Sequence, residues 1–149
     1  THKTSSAASD VYKRQVMGGS SNLEADYDAG TFKMTGNVVK KDGGFVRLAH
    51  RPEEISKNAK GIKFKARGNN ETYEVHLTLK GVKMPPWSYL SSTFNVSENW
   101  QEFEISFSDF KKNGYMMASM KPHNIRDISI AGYGRDFDVD LEFKDVTVF

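Results

Sequence analysis

The 149-residue chain contains no cysteine. That single absence excludes disulfides, thiolate-bound metal and cysteine nucleophiles together. A domain of this length can hold a core without cross-links, so the absence is compatible with a reducing compartment without requiring one. Long apolar runs are missing as well: nothing approaches the roughly 20 residues that cross a bilayer, and membrane insertion is not expected. Charge of one sign is lacking, since 21 basic and 19 acidic residues leave only +2. Without a clustered positive face, nucleic acid is not an expected partner. No window carries a helical apolar stripe, and no glycine-rich dinucleotide fingerprint occurs, so no cofactor is expected.

What is present is a folding composition, with 38% hydrophobic and 12% aromatic residues. From Thr31 onward apolar and polar residues alternate, which marks strands with one buried face. Ile62, Phe64 and Ala66 alternate with Lys63, Lys65 and Arg67. Gly68-Asn69-Asn70-Glu71 then reads as a hairpin loop, followed by Tyr73, Val75, Leu77 and Leu79 inward and Glu74, His76, Thr78 and Lys80 outward. Phe103, Ile105 and Phe107 repeat the scheme, Ile128 and Ile130 mark a short strand, and Phe137 to Phe143 closes it. The parity shift at Lys144-Asp145 predicts a bulge. Asp42-Gly43-Gly44 predicts a turn. Pro52 to Ile55 and Ser108 to Lys112 each have room for one helical turn. Many short strands separated by turns predict one all-β domain, a sandwich, over residues 16–149.

Residues 1–15 carry no strand or helix period, and Asp10-Val11-Tyr12-Lys13-Arg14-Gln15 resembles the translation of a transposase adaptor end used in sequencing libraries. The segment is read as a non-native, structureless tail, and the domain as lacking its first strand. It has no apolar segment of the signal-peptide kind.

Several segments together have a specific likeness. Val16-Met17-Gly18-Gly19-Ser20-Ser21, Gly43-Gly44-Phe45, Gly61 to Gly68 with Tyr73, and Trp100 to Phe110 ending in Phe107-Ser108-Asp109-Phe110 occur in order. This set resembles the complex I intermediate-associated protein 30 family, with Ser106 where proline is common. The resemblance implies a galactose-binding-like jelly roll related to carbohydrate-binding modules. It also implies a non-catalytic role by protein contacts in assembling respiratory complex I, and a mitochondrial or bacterial cytoplasmic setting.

Candidate binding residues follow from side-chain chemistry. Trp87 and Tyr89 follow a Pro85-Pro86 pair, where rigid aromatic faces suit a sugar ring or a partner protein; the alternative is that Trp87 caps the end of the sandwich. Met116 and Met117 lie in a Met-rich loop that suits an adaptable protein interface or irregular core filling. Arg47, Arg67 and His76 could supply hydrogen bonds to a carbohydrate, the other ligand class considered. Met17, Gly18, Gly19 and Ser20 form a loop whose backbone amides could bind an anion or a sugar hydroxyl, or a tight turn that only glycine permits. The basic face of Lys63, Lys65 and Arg67 and the acids Glu102, Glu104, Asp138, Asp140 and Glu142 read as solvated cross-strand pairs. A glycosidase pair of carboxylates in a cleft has little support here. His2, His50, His76 and His123 lack metal-site spacing, and His76 reads as a surface residue. Asp26, Asp28, Asp109 and Asp145 are carboxylates without the spacing of a calcium loop.

Overall fold

The computed structural model describes residues 14–81, 88–113 and 120–149. Among these, eleven strands form: β1 (Arg14–Gly18), β2 (Asn22–Asp28), β3 (Thr31–Val38), β4 (Phe45–His50), β5 (Gly61–Gly68), β6 (Thr72–Leu79), β7 (Tyr89–Asn95), β8 (Gln101–Ser106), β9 (Lys111–Asn113), β10 (Ile125–Tyr133) and β11 (Phe137–Val148). They build two antiparallel sheets, one ordered β1-β4-β10-β6-β7-β9 and the other β2-β3-β11-β5-β8. The architecture is a jelly-roll β-sandwich.

The predicted alternation is why two sheets form. Each strand has one apolar face, and two such faces are satisfied by closing on each other. The six-stranded sheet turns Leu48, Tyr73, Val75, Leu77, Ile128 and Ile130 inward; the other contributes Met34, Ile62, Phe64, Ala66, Leu141 and Phe143. Rings meet across the gap: Phe64 of β5 contacts Phe94 of β7 edge-on at 4.9 Å, and Tyr73 of β6 contacts Phe137 of β11 at 5.6 Å. Tyr73 is fully buried, yet its hydroxyl donates to Asn69 Oδ1 at 2.7 Å and accepts from the Asp140 amide at 3.0 Å. Burial pushes that phenol up to about 12.

Several expectations need correction. Gly68 to Glu71 is not a hairpin loop: β5 pairs with β8 and β11, whereas β6 pairs with β7 and β10. The connection crosses between sheets, because two consecutive strands with strong apolar faces bury them by opposing each other. Ile128 and Ile130 belong to a nine-residue strand in the middle of its sheet, not a short one. Pro52 to Ile55 forms no helical turn, and the turn foreseen at Ser108 is a short 3-10 turn at Phe107–Asp109. Arg14 and Gln15, set aside with the tail, lie in β1 opposite Ala49 and Leu48. Main-chain pairing with an edge strand is open to almost any residue, so composition did not reveal it.

Other expectations match. The register of β11 against β5 shifts between Lys144 and Thr147, with Asp145 at φ 56°. Two of the foreseen charge pairs form on the outer face of the five-stranded sheet, Arg67–Glu142 at 3.1 Å and Lys63–Glu102 at 3.7 Å, while Lys65 meets Asp145, outside the foreseen set, at 3.7 Å. Among the described residues, no helix is long and apolar enough to cross a membrane.

Candidate binding face

The outer face of the six-stranded sheet differs from that charged surface. Strand register places Phe45, Arg47 and Ala49 of β4 beside Tyr133, Ala131 and Ser129 of β10. The next strand, β6, sets Glu74 opposite Ala131 and His76 opposite Ser129, and β7 adds Thr93, Ser91 and Tyr89. All of these point away from the core by the alternation of strand side chains. A face so directed should be wet. Instead Ala49, Ala131, Ser129, His76 and Tyr89 are buried, while Tyr133 remains 40% exposed.

Rings account for much of this. The His76 imidazole stacks on Tyr89 with centroids 4.2 Å apart, and Tyr133 meets both edge-on at 6.1 and 6.3 Å. Tyr133 also approaches Phe45 at 6.5 Å, and the Arg47 guanidinium lies 5.8 Å from the Phe45 centroid. His76 Nε2 sits 3.0 Å from Glu74 Oε1. Burial lowers the His76 pKa against the raising influence of Glu74, so the ring is neutral near pH 7. Burial, aided by a hydrogen bond with Tyr133, raises the Tyr89 phenol. Farther out, Asn113 of β9 donates to Ser91 Oγ at 2.8 Å. At the other end buried Asp127 accepts from Thr78 at 3.1 Å and Arg126 at 3.2 Å, with Arg51 at 3.5 Å.

Of the residues singled out in the sequence, the fold brings Arg47, His76 and Tyr89 together. Two of them differ from expectation in exposure. His76 is buried rather than a surface residue, because the Tyr89 and Tyr133 rings cover it, and Tyr89 is a buried strand residue rather than an exposed loop aromatic. Arg67 belongs to the opposite sheet, bonded to Glu142, with its guanidinium 4.9 Å from the Trp100 ring. Trp87, Met116 and Met117 lie outside the described residues. Met17 is a β1 position opposite Val46. Gly18 ends β1 opposite Phe45, and Gly19 and Ser20 belong to the β1–β2 connection, which packs against the turn before β4. A Cβ on Gly44 would lie 1.6 Å from the Val39 carbonyl, and buried Ser21 accepts from the Val39 amide at 2.9 Å. The glycine-rich segments thus interlock two turns by close backbone approach. Tyr133, Glu74 and Phe45 were missed as site residues, since only the register of β10 and β4 against β6 assembles them. Asp26, Asp28, Asp109 and Asp145 do not converge, and among the described residues no group of three or more His, Asp or Glu could hold a metal ion.

The fold is that of a jelly-roll β-sandwich with a partly buried outer face. The chain belongs to the complex I intermediate-associated protein 30 family, whose model matches residues 1–143, including the N-terminal segment set aside on sequence grounds. Its fold is similar to the family 11 carbohydrate-binding module from Clostridium thermocellum in complex with a β-1,3-1,4-mixed-linked tetrasaccharide, at TM-score 0.78 and 12% identity, covering 91% of this chain and 87% of that one. The family 11 module of the cellulosomal cellulase Lic26A-Cel5E of Clostridium thermocellum superposes at TM-score 0.79 and 12% identity, covering 91% and 86%. The family 30 module of cellulase Cel9D-Cel44B from the same organism reaches TM-score 0.62 at 13% identity, covering 91% and 89%. These likenesses establish the fold. No curated protein matches the chain in sequence.

Proposed function

We propose that this chain is a non-catalytic recognition domain that binds a carbohydrate on the outer face of its six-stranded sheet. The observation that carries the reading is the His76–Tyr89–Tyr133 cluster, flanked by Glu74 and Arg47, on a face directed away from the core. Sugar recognition needs a ring face for the apolar side of a pyranose and a few fixed polar groups for its hydroxyls. Tyr133 offers the former, and the Glu74-bonded His76 imidazole and the Arg47 guanidinium offer the polar groups. The outer face of the other sheet carries ion pairs between strands, which suits solvation. Among the described residues the exposed large hydrophobics are Tyr133, Val148 and Phe149, too scattered for a broad apolar interface.

Calorimetric titration with the mixed-linkage tetrasaccharide tests this. Binding is expected, weakened at least about tenfold by Tyr133→Ala with an unchanged circular dichroism spectrum. Equal affinity of that variant removes the assignment of this face.

Family membership favours a second reading, in which the same domain holds a protein partner during assembly of respiratory complex I. Capture of complex I subunits on the immobilised chain, lost in Tyr133→Ala, supports it; capture that the variant retains moves the contact off this face.

A further inference from the structure

Within the outward cluster, and among the described residues, the hydrogen-bonding capacity of the buried His76 Nδ1 is unmet. His76 is 3% exposed, its Nε2 is engaged with Glu74 Oε1 at 3.0 Å, and its Nδ1 is buried without a hydrogen-bond partner among the described residues. A carboxylate oxygen only accepts, so the proton between Glu74 and His76 belongs to Nε2. Burial holds the imidazole neutral, which leaves Nδ1 a bare lone pair. Of the neighbouring hydroxyls, Tyr89 bonds with Tyr133, Thr78 donates to Asp127, and Ser91 accepts from Asn113 while keeping its own proton.

We propose that His76 Nδ1 is the acceptor that recognises a ligand hydroxyl on this face, and that Glu74 is a positioning residue that fixes the required tautomer. The inference rests on the carbohydrate reading and narrows it to a ligand that presents an O–H donor next to a flat apolar surface, as a neutral pyranose does. A phosphate or carboxylate offers lone pairs where the site needs a proton, and is disfavoured. Buried acceptors in folded proteins are rarely left unmet, and a ligand hydroxyl relieves the cost of this one. Access requires the exposed Tyr133 ring to turn aside, a side-chain motion that needs no rearrangement of the sheet.

The test is the imidazole nitrogen NMR spectrum of the full chain, recorded free and saturated with the mixed-linkage tetrasaccharide. The free protein is expected to show the Nε2–H tautomer. Saturation is expected to move the Nδ1 resonance toward the hydrogen-bonded position and to leave Nε2 in place. In Glu74→Gln the amide can either accept from Nε2–H or donate to a bare Nε2, so the Nε2–H tautomer is no longer enforced, and affinity should fall in proportion to the Nδ1–H population read from the same spectrum. His76→Phe keeps a ring against Tyr89 but has no acceptor, and affinity should fall at least about tenfold, equivalent to one lost hydrogen bond at about 1.4 kcal/mol; should it fail to fold, the wild-type spectrum and Glu74→Gln still decide. A tetrasaccharide that perturbs Tyr133 while Nδ1 stays unmoved overturns this inference and leaves the carbohydrate reading standing. No perturbation anywhere in the cluster at millimolar sugar overturns both.

Discussion

The His76 and Tyr89 rings lie parallel to within 25°, their centroids 4.2 Å apart, on the side of the sheet that faces away from the core. Stacking at this distance joins β6 to β7 and shields an imidazole that water would otherwise reach. Tyr89→Ala therefore removes a packed ring and wets His76. The cost expected is about 3 kcal/mol, in the range for deleting a buried aromatic. Tyr89→Phe keeps the ring and loses only the hydroxyl contact with Tyr133, at about 1 kcal/mol. Urea denaturation of both variants measures the difference; equal costs would mean that the ring contributes little.

Acid should weaken the fold through two histidines. Burial holds His50 down at about 4, against the raising influence of Asp127, and lowers His76 as well. In the unfolded chain each takes up its proton near the ordinary value of about 6.5. Between that pH and the folded value the unfolded state binds more protons, so stability present above pH 6.5 declines as pH falls toward 4. For His50 the loss levels off once the pH drops below its folded pKa. A decrease on the order of 2 kcal/mol between pH 7 and pH 4.5 is expected by urea titration. His50→Gln should flatten part of the slope; an unaltered slope would contradict the assignment to His50.

Adjacent glycines should differ sharply in tolerance. A Cβ on Gly44 would meet the Val39 carbonyl oxygen at 1.6 Å, and backbone must move to admit it. Gly43 has open space around it, but its φ of 72° disfavours any other residue. Gly44→Ala should cost more than about 3 kcal/mol, or prevent folding, and Gly43→Ala about 1 kcal/mol. Thermal melts of the pair check the order.

The charge pairs on the five-stranded sheet should matter little. Arg67 and Glu142 approach to 3.1 Å with side chains 41% and 27% exposed. Exposed pairs of this kind contribute under about 1 kcal/mol. A double-mutant cycle on Arg67→Ala and Glu142→Ala should give a coupling in that range, reduced by high salt. A coupling of several kcal/mol would mark the outer face of this sheet as structurally demanding.

Much of the architecture was legible along the chain. The period-two pattern of Ile62, Phe64 and Ala66, and of Tyr73, Val75 and Leu77, reports burial directly, because a strand has only two faces. The Lys144-Asp145 parity break announced its bulge for the same reason. Which sheet a strand joins was not legible, and β5 and β6, read as a hairpin, oppose each other across the core. Strands such as β2, β7 and β9 carry weaker alternation, since edge positions and polar outer faces relax the demand for apolar residues.

The sequence by itself determined the class of fold, the inward residues and the family to which the chain belongs, because these depend on local periodicity and on motifs in order. The tertiary structure decided which outward residues meet. Arg47, His76 and Tyr89 could be named one at a time, but their union with Glu74, Phe45 and Tyr133 depends on the register of β4, β10, β6 and β7. Register is set by long-range pairing, and a slip of one residue would send each of these side chains into the core. The burial of His76 has the same origin: no local pattern tells a wet outward face from one that rings of neighbouring strands have closed.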